Sequence, residues 1–334
     1  MRKKFTILFV SLVAAVMLSS CENKAESRLF MMDTVIDIRL WGSGAEECLA
    51  EAEATLSELD FNLSAYREEG VLFRINSGEN VPAGMHLKNA LGSALKYSKN
   101  TGGAFSPVLG SVIKLWDIGG KNYVPTESEI SQALLSAKTA NVSIHGDDIT
   151  LTNGAQLNLG AIAKGYASDV LRAQLEERGI SRAVISLGGN VYVRGNRGDG
   201  EPWNVALRDP RGDANDWFAT LSVSDKFVIS SGDYERYFDC DGVRYHHIMD
   251  PKTGAPAESD LMAAVVVSES GAQGDAYSTA LYVMGRERAL NFWRGGSGFE
   301  LVLIGRDGVV TVTDGLEHAF AAADGRYSYE IARR

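Results

Sequence analysis

The chain has 334 residues, of which 45% are hydrophobic and 23% charged, and its formal net charge is −10. This composition is that of an ordinary globular protein with a large core, and the acidic balance argues against a general nucleic-acid binder, which needs a basic surface. The 35 glycines favour an enzyme with many tight loops, because glycine allows sharp turns and close approach to a ligand.

The N-terminus predicts a secretory leader. Residues 2–4 are positively charged, and residues 5–18 form an apolar run. This is the arrangement of a signal peptide, and the run is shorter than the roughly 20 residues that a membrane-spanning helix needs. The run leads through small residues to Cys21, which resembles the lipobox of bacterial lipoproteins. An ordinary cleaved signal with an incidental cysteine is the alternative.

We therefore expect a signal peptide over 1–20, a lipidated Cys21 with a polar tether over 21–28, and one domain over 29–334. The protein would be a membrane lipoprotein facing the periplasm. Two further cysteines, Cys48 and Cys240, could pair in an oxidising compartment, but the sequence does not show whether they are close together.

Helical and strand patterns are mixed along the rest of the chain. Helical spacing of apolar residues predicts helices over 45–59, 87–99, 128–137, 168–178 and 275–284. Alternating or apolar runs predict strands over 35–40, 149–159, 183–187, 205–208, 219–223, 227–229, 261–268, 301–304 and 309–313. Asn153-Gly154 and Asp307-Gly308 mark hairpin turns. Because strict β-α-β alternation is missing, we predict an α+β fold.

The familiar nucleotide and hydrolase motifs are missing from the sequence. There is no G-x-x-x-x-G-K-[ST] loop, no G-x-G-x-x-G after a strand, no H-E-x-x-H and no G-x-S-x-G. The site must therefore be sought in less common arrangements.

One such arrangement is the segment 157–166, where a predicted strand meets Gly160 and a helix follows. The free N–H groups of a helix start suit an anion, and Lys164 adds a positive charge there. An ordinary strand–helix turn with a surface lysine is the alternative.

A second arrangement is Asp275 and Thr279, which are four residues apart and so share a helix face. Carboxylate and hydroxyl oxygens are ligands that magnesium prefers. Asp275 as a plain helix N-cap is the alternative.

Two loops complete the set. His246 and His247 precede an Asp-Pro-Lys-Thr-Gly turn, and histidine is the natural general base near neutral pH. The segment 231–238 has a turn followed by aromatic residues that could flank a planar ring. A packed structural histidine and an aromatic core cluster are the respective alternatives.

These pieces occur in an order that resembles the ApbE family of FAD:protein FMN transferases. The resemblance runs from Phe30 to about Gly285. The segments that carry it are Met32-Asp33-Thr34, Leu63-Ser64-Ala65-Tyr66-Arg67, Gly103-Ala104-Phe105-Ser106-Pro107, Leu115-Trp116, residues 159–166, Leu187-Gly188-Gly189-Asn190, Ser231-Gly232-Asp233-Tyr234, residues 247–251, and Asp275 with Thr279.

The resemblance implies a single large catalytic domain of two intimate lobes with mixed and antiparallel sheets, and FAD in the cleft between them. A Thr or Ser hydroxyl of a periplasm-facing acceptor, a flavoprotein subunit of a membrane redox complex, would attack the FMN phosphorus, and AMP would leave. Asp275 and Thr279 would bind Mg²⁺ by side chain and Ala161 by its carbonyl, and His247 would be the base. The residues expected to contact FAD are Met32, Tyr66, Ala104, Phe105, Ser106, Asn158, Lys164 and Met249.

The sequence departs from the family pattern at three positions. Asp33 stands where glycine is usual, Ser106 where aspartate is usual, and Asn158 where aspartate is frequent. Two other functions stay open: a magnesium-dependent pyrophosphatase that cleaves FAD with water, and a non-catalytic FAD-binding lipoprotein.

Overall fold

The computed structural model describes residues 23–213 and 215–334. The expected signal peptide over 1–20 and the expected lipidation residue, Cys21, lie outside the described residues. Within the described ranges, no helix is both long and apolar enough to cross a membrane. Cys48 and Cys240 are both free thiols.

The described residues form helices and strands in mixed order. The helices are α1 (Ala45–Leu63), α2 (Val71–Asn76), α3 (Gly84–Asn100), α4 (Gly110–Trp116), α5 (Glu127–Lys138), α6 (Ala163–Glu177), α7 (Gly271–Met284) and α8 (Arg286–Gly295), with a 3₁₀ turn at Asp314–Leu316. The strands are β1 (Lys24–Met31), β2 (Thr34–Trp41), β3 (Val142–His145), β4 (Asp148–Leu151), β5 (Arg182–Leu187), β6 (Asn190–Arg194), β7 (Trp203–Arg208), β8 (Trp217–Val223), β9 (Lys226–Gly232), β10 (Tyr237–Cys240), β11 (Val243–His246), β12 (Leu261–Ser268), β13 (Phe299–Gly305), β14 (Val309–Thr313), β15 (Phe320–Ala322) and β16 (Ser328–Ala332).

A nine-stranded sheet organises the fold, in the order β1-β2-β5-β6-β9-β12-β13-β14-β16. Its neighbouring strands are antiparallel apart from the parallel pair β14 and β16. All eight residues of β12 are buried, because side chains on both faces of this strand enter hydrophobic clusters. The helices and largely antiparallel sheets confirm the predicted α+β class.

The two faces of this sheet are covered differently. Helices α1, α3, α6, α7 and α8 contribute buried residues to a first cluster on one face, and the sheet β15-β8-β7 packs on the other face in a second cluster. A third, smaller cluster joins α4, α5 and a loop residue, Met249. The loop that carries Phe105 and Leu109 connects the first cluster to the third, because Phe105 is buried in the first and Leu109 in the third.

The predicted helices are confirmed, with longer bounds, but the strand over 149–159 is wrong beyond Leu151. Strand β4 ends there and pairs with β3 instead, and the turn at Asn153-Gly154 is not followed by a strand. Further along this segment, a side chain occupies the backbone groups that a strand partner would bind. Asn76 donates its amide N–H to the Leu157 carbonyl at 2.8 Å and accepts from the Leu157 N–H at 2.7 Å.

The polar segment expected to be a tether is also partly strand. Lys24–Met31 forms β1, an edge strand of the large sheet that pairs with β2 alone. Lys24, Glu26 and Arg28 are exposed along it. Charged residues are common on edge strands, where they discourage pairing with other chains, and this polarity gives the strand the composition of a tether.

Helix α7 begins four residues before the predicted start, because its first N–H groups have partners from α6. Asp169 accepts the N–H groups of Gly271 at 2.8 Å and Ala272 at 2.9 Å. It also accepts the Ser270 hydroxyl at 3.0 Å. The helix that carries Asp275 is thus fixed at its N-terminus by a side chain 102 residues earlier.

We expect Asp169→Ala to lower the free energy of unfolding by about 2 kcal/mol, because two helix N–H groups lose their acceptor. Urea denaturation of the purified protein measures this. The same substitution at Asp148, an exposed residue at the start of β4, is the control and should change the value by less than about 0.5 kcal/mol. Equal effects of the two substitutions would contradict this role.

Candidate functional site

The core of the site is one face of α7. Asp275 is only 4% exposed, and its carboxylate makes no ion pair with any described residue. One oxygen, Oδ2, accepts the backbone N–H of Gly165 at 2.8 Å. A buried carboxylate without a positive partner is costly, so this position is suited to a bound cation.

Thr279 lies one turn further along the same face of α7 and is half-buried. Its hydroxyl lies 3.2 Å from the Ser231 hydroxyl of β9, which is also 2.8 Å from the hydroxyl of Ser278. The segment 231–238 therefore contributes a hydroxyl to this face, and Ser231 joins the sheet to the helix there.

The Ala161 carbonyl is the third of the predicted metal ligands. In a continuous helix, the Gly165 N–H would bond to the carbonyl four residues earlier, which is that of Ala161. Because Gly165 donates to Asp275 instead, no backbone N–H in the described ranges donates to Ala161. Gly160 forms a turn before α6 as predicted, but the residues preceding it are irregular rather than strand.

These three oxygens fit magnesium, which takes carboxylate, hydroxyl and carbonyl ligands together with water and substrate phosphate. No group of three or more His, Cys, Asp or Glu that could hold a metal occurs among the described residues. The predicted set of Asp275, Thr279 and Ala161 contains one carboxylate, so it does not belong to such a group.

Two glycines bring α6 and α7 into backbone contact. A Cβ atom on Gly165 would lie 2.1 Å from the Gly271 carbonyl oxygen and 2.6 Å from Asp275 Cβ. A Cβ on Gly271 would lie 2.3 Å from the Gly165 carbonyl oxygen. This close crossing allows the Gly165 N–H to reach Asp275. The sequence analysis did not predict the contact between Gly165 and Asp275. Its local signal is a glycine near the start of each of the two helices.

His247 lies in the loop after β11, and its geometry suits a base. Its Nδ1 is 3.3 Å from the Arg236 carbonyl oxygen, which also accepts the His247 backbone N–H at 3.1 Å. A carbonyl can only accept, so Nδ1 carries the proton, and the Nε2 lone pair has no partner within 23–213 and 215–334. Desolvation of the half-buried ring, and then the nearby charge of Arg236, hold the pKa of His247 well below its usual range.

The preceding histidine is structural. The His246 ring is buried, with Nε2 3.1 Å from the Ala257 carbonyl oxygen. Its Nδ1 accepts the Ile248 N–H at 3.3 Å. Both ring nitrogens of His246 are occupied, so only His247 of the pair has a nitrogen available for chemistry.

Tyr66 is one of the aromatic residues predicted to contact FAD. Tyr66 is 64% exposed, and its hydroxyl accepts the Asn158 side-chain N–H at 3.4 Å. Asn158 also accepts the Gly160 N–H at 2.8 Å and donates its own backbone N–H to Pro107 at 2.8 Å. Tyr66 is thus an accessible ring next to the loop that leads into α6.

Met32 and Asp33 form the two-residue turn between β1 and β2. Their φ angles are 52° and 59°, which is the conformation of a type I′ turn. The Met32 N–H donates to Asp60 at 3.2 Å, and Asp33 forms an ion pair with Arg236 at 2.7 Å. Since the Arg236 carbonyl also holds His247, the turn is tied to the candidate base.

The remaining predicted contacts lie in the surrounding packing. Ala104 and Phe105 are buried in the first cluster, and Met249 is buried in the third. Ser106 is half-buried, and its hydroxyl accepts the Val108 N–H at 3.4 Å. Lys164 is half-buried, and its charge acts on His247.

A cavity of about 500 Å³ lies between β11 and the loop 255–259, and none of the residues expected to bind FAD or the metal lines it. Two of its polar side chains, Trp116 and His246, already donate to backbone carbonyls. We therefore place the candidate site at the acceptor groups of Asp275 and His247 rather than at this cavity.

The fold and these groups define a class: an α+β protein with a buried carboxylate at a helix crossing, a histidine held by a backbone carbonyl, and an exposed aromatic ring. The model of the ApbE family matches residues 32–303. The chain belongs to the ApbE family.

Relatives agree in length as well as in sequence. A protein from Treponema pallidum (strain Nichols), named FAD:protein FMN transferase, is 31% identical over 93% of this chain and 94% of its own. One of the same name from Escherichia coli (strain K12) is 28% identical over 73% of this chain and 72% of its own.

Solved structures agree with the fold. The crystal structure of the ApbE protein from Thermotoga maritima has a TM-score of 0.80 and 29% identity, and covers 89% of this chain and 99% of its own. The apo form of the flavinyl transferase ApbE from Pseudomonas stutzeri has a TM-score of 0.79 and 29% identity, and covers 91% of this chain and 98% of its own.

Proposed function

We propose that this protein is an FAD:protein FMN transferase, which moves FMN from FAD to a Thr or Ser hydroxyl of another protein and releases AMP. The observation that carries the proposal is the buried Asp275 carboxylate, which has no cation partner among the described residues and shares a helix face with Thr279. The names of the relatives support it.

Asp275, Thr279 and the Ala161 carbonyl would hold Mg²⁺. When bound there, the ion would neutralise negative charge on the diphosphate oxygens of FAD. His247 accepts the proton of the acceptor hydroxyl at Nε2 while the new bond from oxygen to the FMN phosphorus forms. The bond from that phosphorus to the AMP oxygen breaks. Lys164 adds a positive charge near the same centre.

FAD is held by the groups around this centre. Tyr66 offers an exposed ring for a planar group, and Asn158 and Ser106 offer polar contacts. Met32, Ala104, Phe105 and Met249 supply apolar surface.

Transfer itself is the direct test. The purified protein is mixed with FAD, Mg²⁺ and an acceptor domain that carries a Ser-Gly-Ala-Thr segment, and mass spectrometry is used to find FMN attached to the acceptor. An adduct that disappears with EDTA supports the proposal. Free FMN and AMP without an adduct would identify a pyrophosphatase instead, and FAD binding without turnover would identify a flavin carrier.

His247→Gln should slow transfer by about 10²–10⁴-fold, because general-base catalysis is lost, while the affinity for FAD changes little. Since the pKa of His247 is lowered, the wild-type rate should not fall as the pH decreases through 6.5. Single-turnover rates between pH 5 and 8 measure both effects. His145→Gln, at an exposed position, is the control. A wild-type rate that falls with an apparent pKa near 6.5 would contradict the assignment.

We further propose that Cys21 carries a lipid, so that the protein works at the periplasmic face of a membrane on a flavoprotein subunit of a redox complex. The support is the order of charged, apolar and small residues before Cys21. Cys21→Ser should move the protein from the membrane fraction to the soluble fraction and abolish incorporation of labelled palmitate. Unchanged fractionation and labelling would refute the anchor.

A further inference from the structure

Asn190 is a buried polar residue to which the proposed mechanism gives no role. It opens β6 after the Gly188-Gly189 turn and is 3% exposed. Its amide nitrogen is buried and has no acceptor among the described residues. A buried amide without a partner is costly, so this donor is expected to have a use that appears when a ligand is bound.

The position of Asn190 follows from the sheet register. It shares a face of β6 with Tyr192, which stacks on Phe227 in the first cluster, so its side chain faces the helical layer. It stands one residue beyond the pair Val191–Val228, and is therefore level with Ile229 of β9.

Ile229 is also the residue on which α7 rests. A Cβ on Gly274 would lie 2.9 Å from Ile229 Cδ1, and Gly274 immediately precedes Asp275. The Asp275 side chain is turned toward α6, where it meets Gly165. Asn190 is thus level, across the β6–β9 pair, with the residue that packs under Gly274, the neighbour of Asp275.

We propose that Asn190 is a further binding residue of this site, whose side-chain N–H donates to an anionic oxygen of the FAD diphosphate. This inference rests on the proposed function. A donor suits phosphate oxygen, and an amide nitrogen cannot ligate a metal ion. The amide nitrogen of Asn190 has no acceptor among the described residues, and an oxygen of the bound nucleotide would supply one.

Two substitutions test this. Asn190→Leu removes the donor at similar volume, and Asn190→Asp replaces it with a negative charge. FAD affinity is measured with Mg²⁺ present by quenching of flavin fluorescence, and thermal unfolding is measured without ligand. The same pair of changes at Asn204, an exposed residue of β7, is the control.

We expect Asn190→Leu to weaken FAD binding about tenfold and Asn190→Asp to weaken it more, because a charge-assisted hydrogen bond is lost and then replaced by repulsion. The Tm of unliganded Asn190→Leu should be unchanged or higher, since an unpaired buried group has been removed. Variants at Asn204 should match the wild type.

Three results would overturn the inference. A lower Tm for Asn190→Leu with unchanged FAD affinity would mean a structural role only. Tighter Mg²⁺ binding by Asn190→Asp with retained FAD affinity would mean that the side-chain oxygen faces the metal. A wild-type protein that does not bind FAD would refute the proposed function itself, and this inference with it.

Discussion

Asp275→Asn is expected to reduce FMN transfer by at least about 10²–10³-fold, because the proposed metal site loses the Asp275 carboxylate. Asparagine has nearly the same shape and can still accept the Gly165 N–H. The protein should therefore fold normally. In EDTA its free energy of unfolding should be equal to that of the wild type or higher, because a buried and unpaired charge has been removed.

The measurements are transfer rate against Mg²⁺ concentration, and urea denaturation in EDTA. Asp148→Asn, at the exposed start of β4, is the control and should behave as the wild type. If Asp275→Asn kept both its rate and its Mg²⁺ dependence, the metal site would have to lie elsewhere. If it lost stability in EDTA, Asp275 would have a structural partner in the folded protein.

Gly165→Ala should cost about 3 kcal/mol of stability and abolish transfer. The added methyl group would lie 2.1 Å from the Gly271 carbonyl oxygen, so α6 and α7 must separate, and overpacking of this kind is strongly destabilising. Separation also removes the Gly165 N–H from Asp275, which releases the carboxylate from the position it holds in the site.

Gly92 of α3 provides a matched control for this prediction. It is also a glycine within a helix, but a Cβ there would meet nothing within 4 Å. Gly92→Ala should therefore raise the free energy of unfolding by up to about 1 kcal/mol, since alanine is the better helix former. Urea denaturation of both variants gives the comparison. Effects of the same sign would show that the crossing of α6 and α7 is not tightly packed.

Much of the fold could be predicted from local patterns. The apolar run of β12 indicates a strand buried on both faces, and the Asp307-Gly308 turn indicates the β13–β14 hairpin, which the structure confirms. The irregular backbone around Leu157 could not be predicted, because the Asn76 side chain that binds it is 81 residues away in sequence.

Part of the candidate site could likewise be predicted from local patterns, and part could not. The spacing of Asp275 and Thr279 places them on one helix face without reference to the rest of the chain. The free Ala161 carbonyl could not be foreseen from local spacing, because it depends on the approach of α6 to α7. Arg236, which fixes the tautomer of His247, appeared in the sequence only as one residue of an aromatic segment.

The three departures from the family pattern find local explanations. Asp33 adopts a positive φ of 59°, which aspartate tolerates better than most residues, and pairs with Arg236. Asn158 accepts the Gly160 N–H through its side-chain oxygen, as a carboxylate would. Ser106 accepts the Val108 N–H, which an aspartate could also do. At all three positions, the residue present therefore makes a polar contact with its surroundings.

The bond between Gly165 and Asp275 joins residues 110 positions apart, and the Asp33–Arg236 pair joins residues 203 positions apart. Contacts of such high sequence separation form late, because long loops must close before they are made. A nascent or truncated chain would consequently have none of the site, even where its individual helices had formed. Cation binding should therefore appear together with the last, global step of folding. The rate at which binding recovers after dilution from urea would then report the rate of that step.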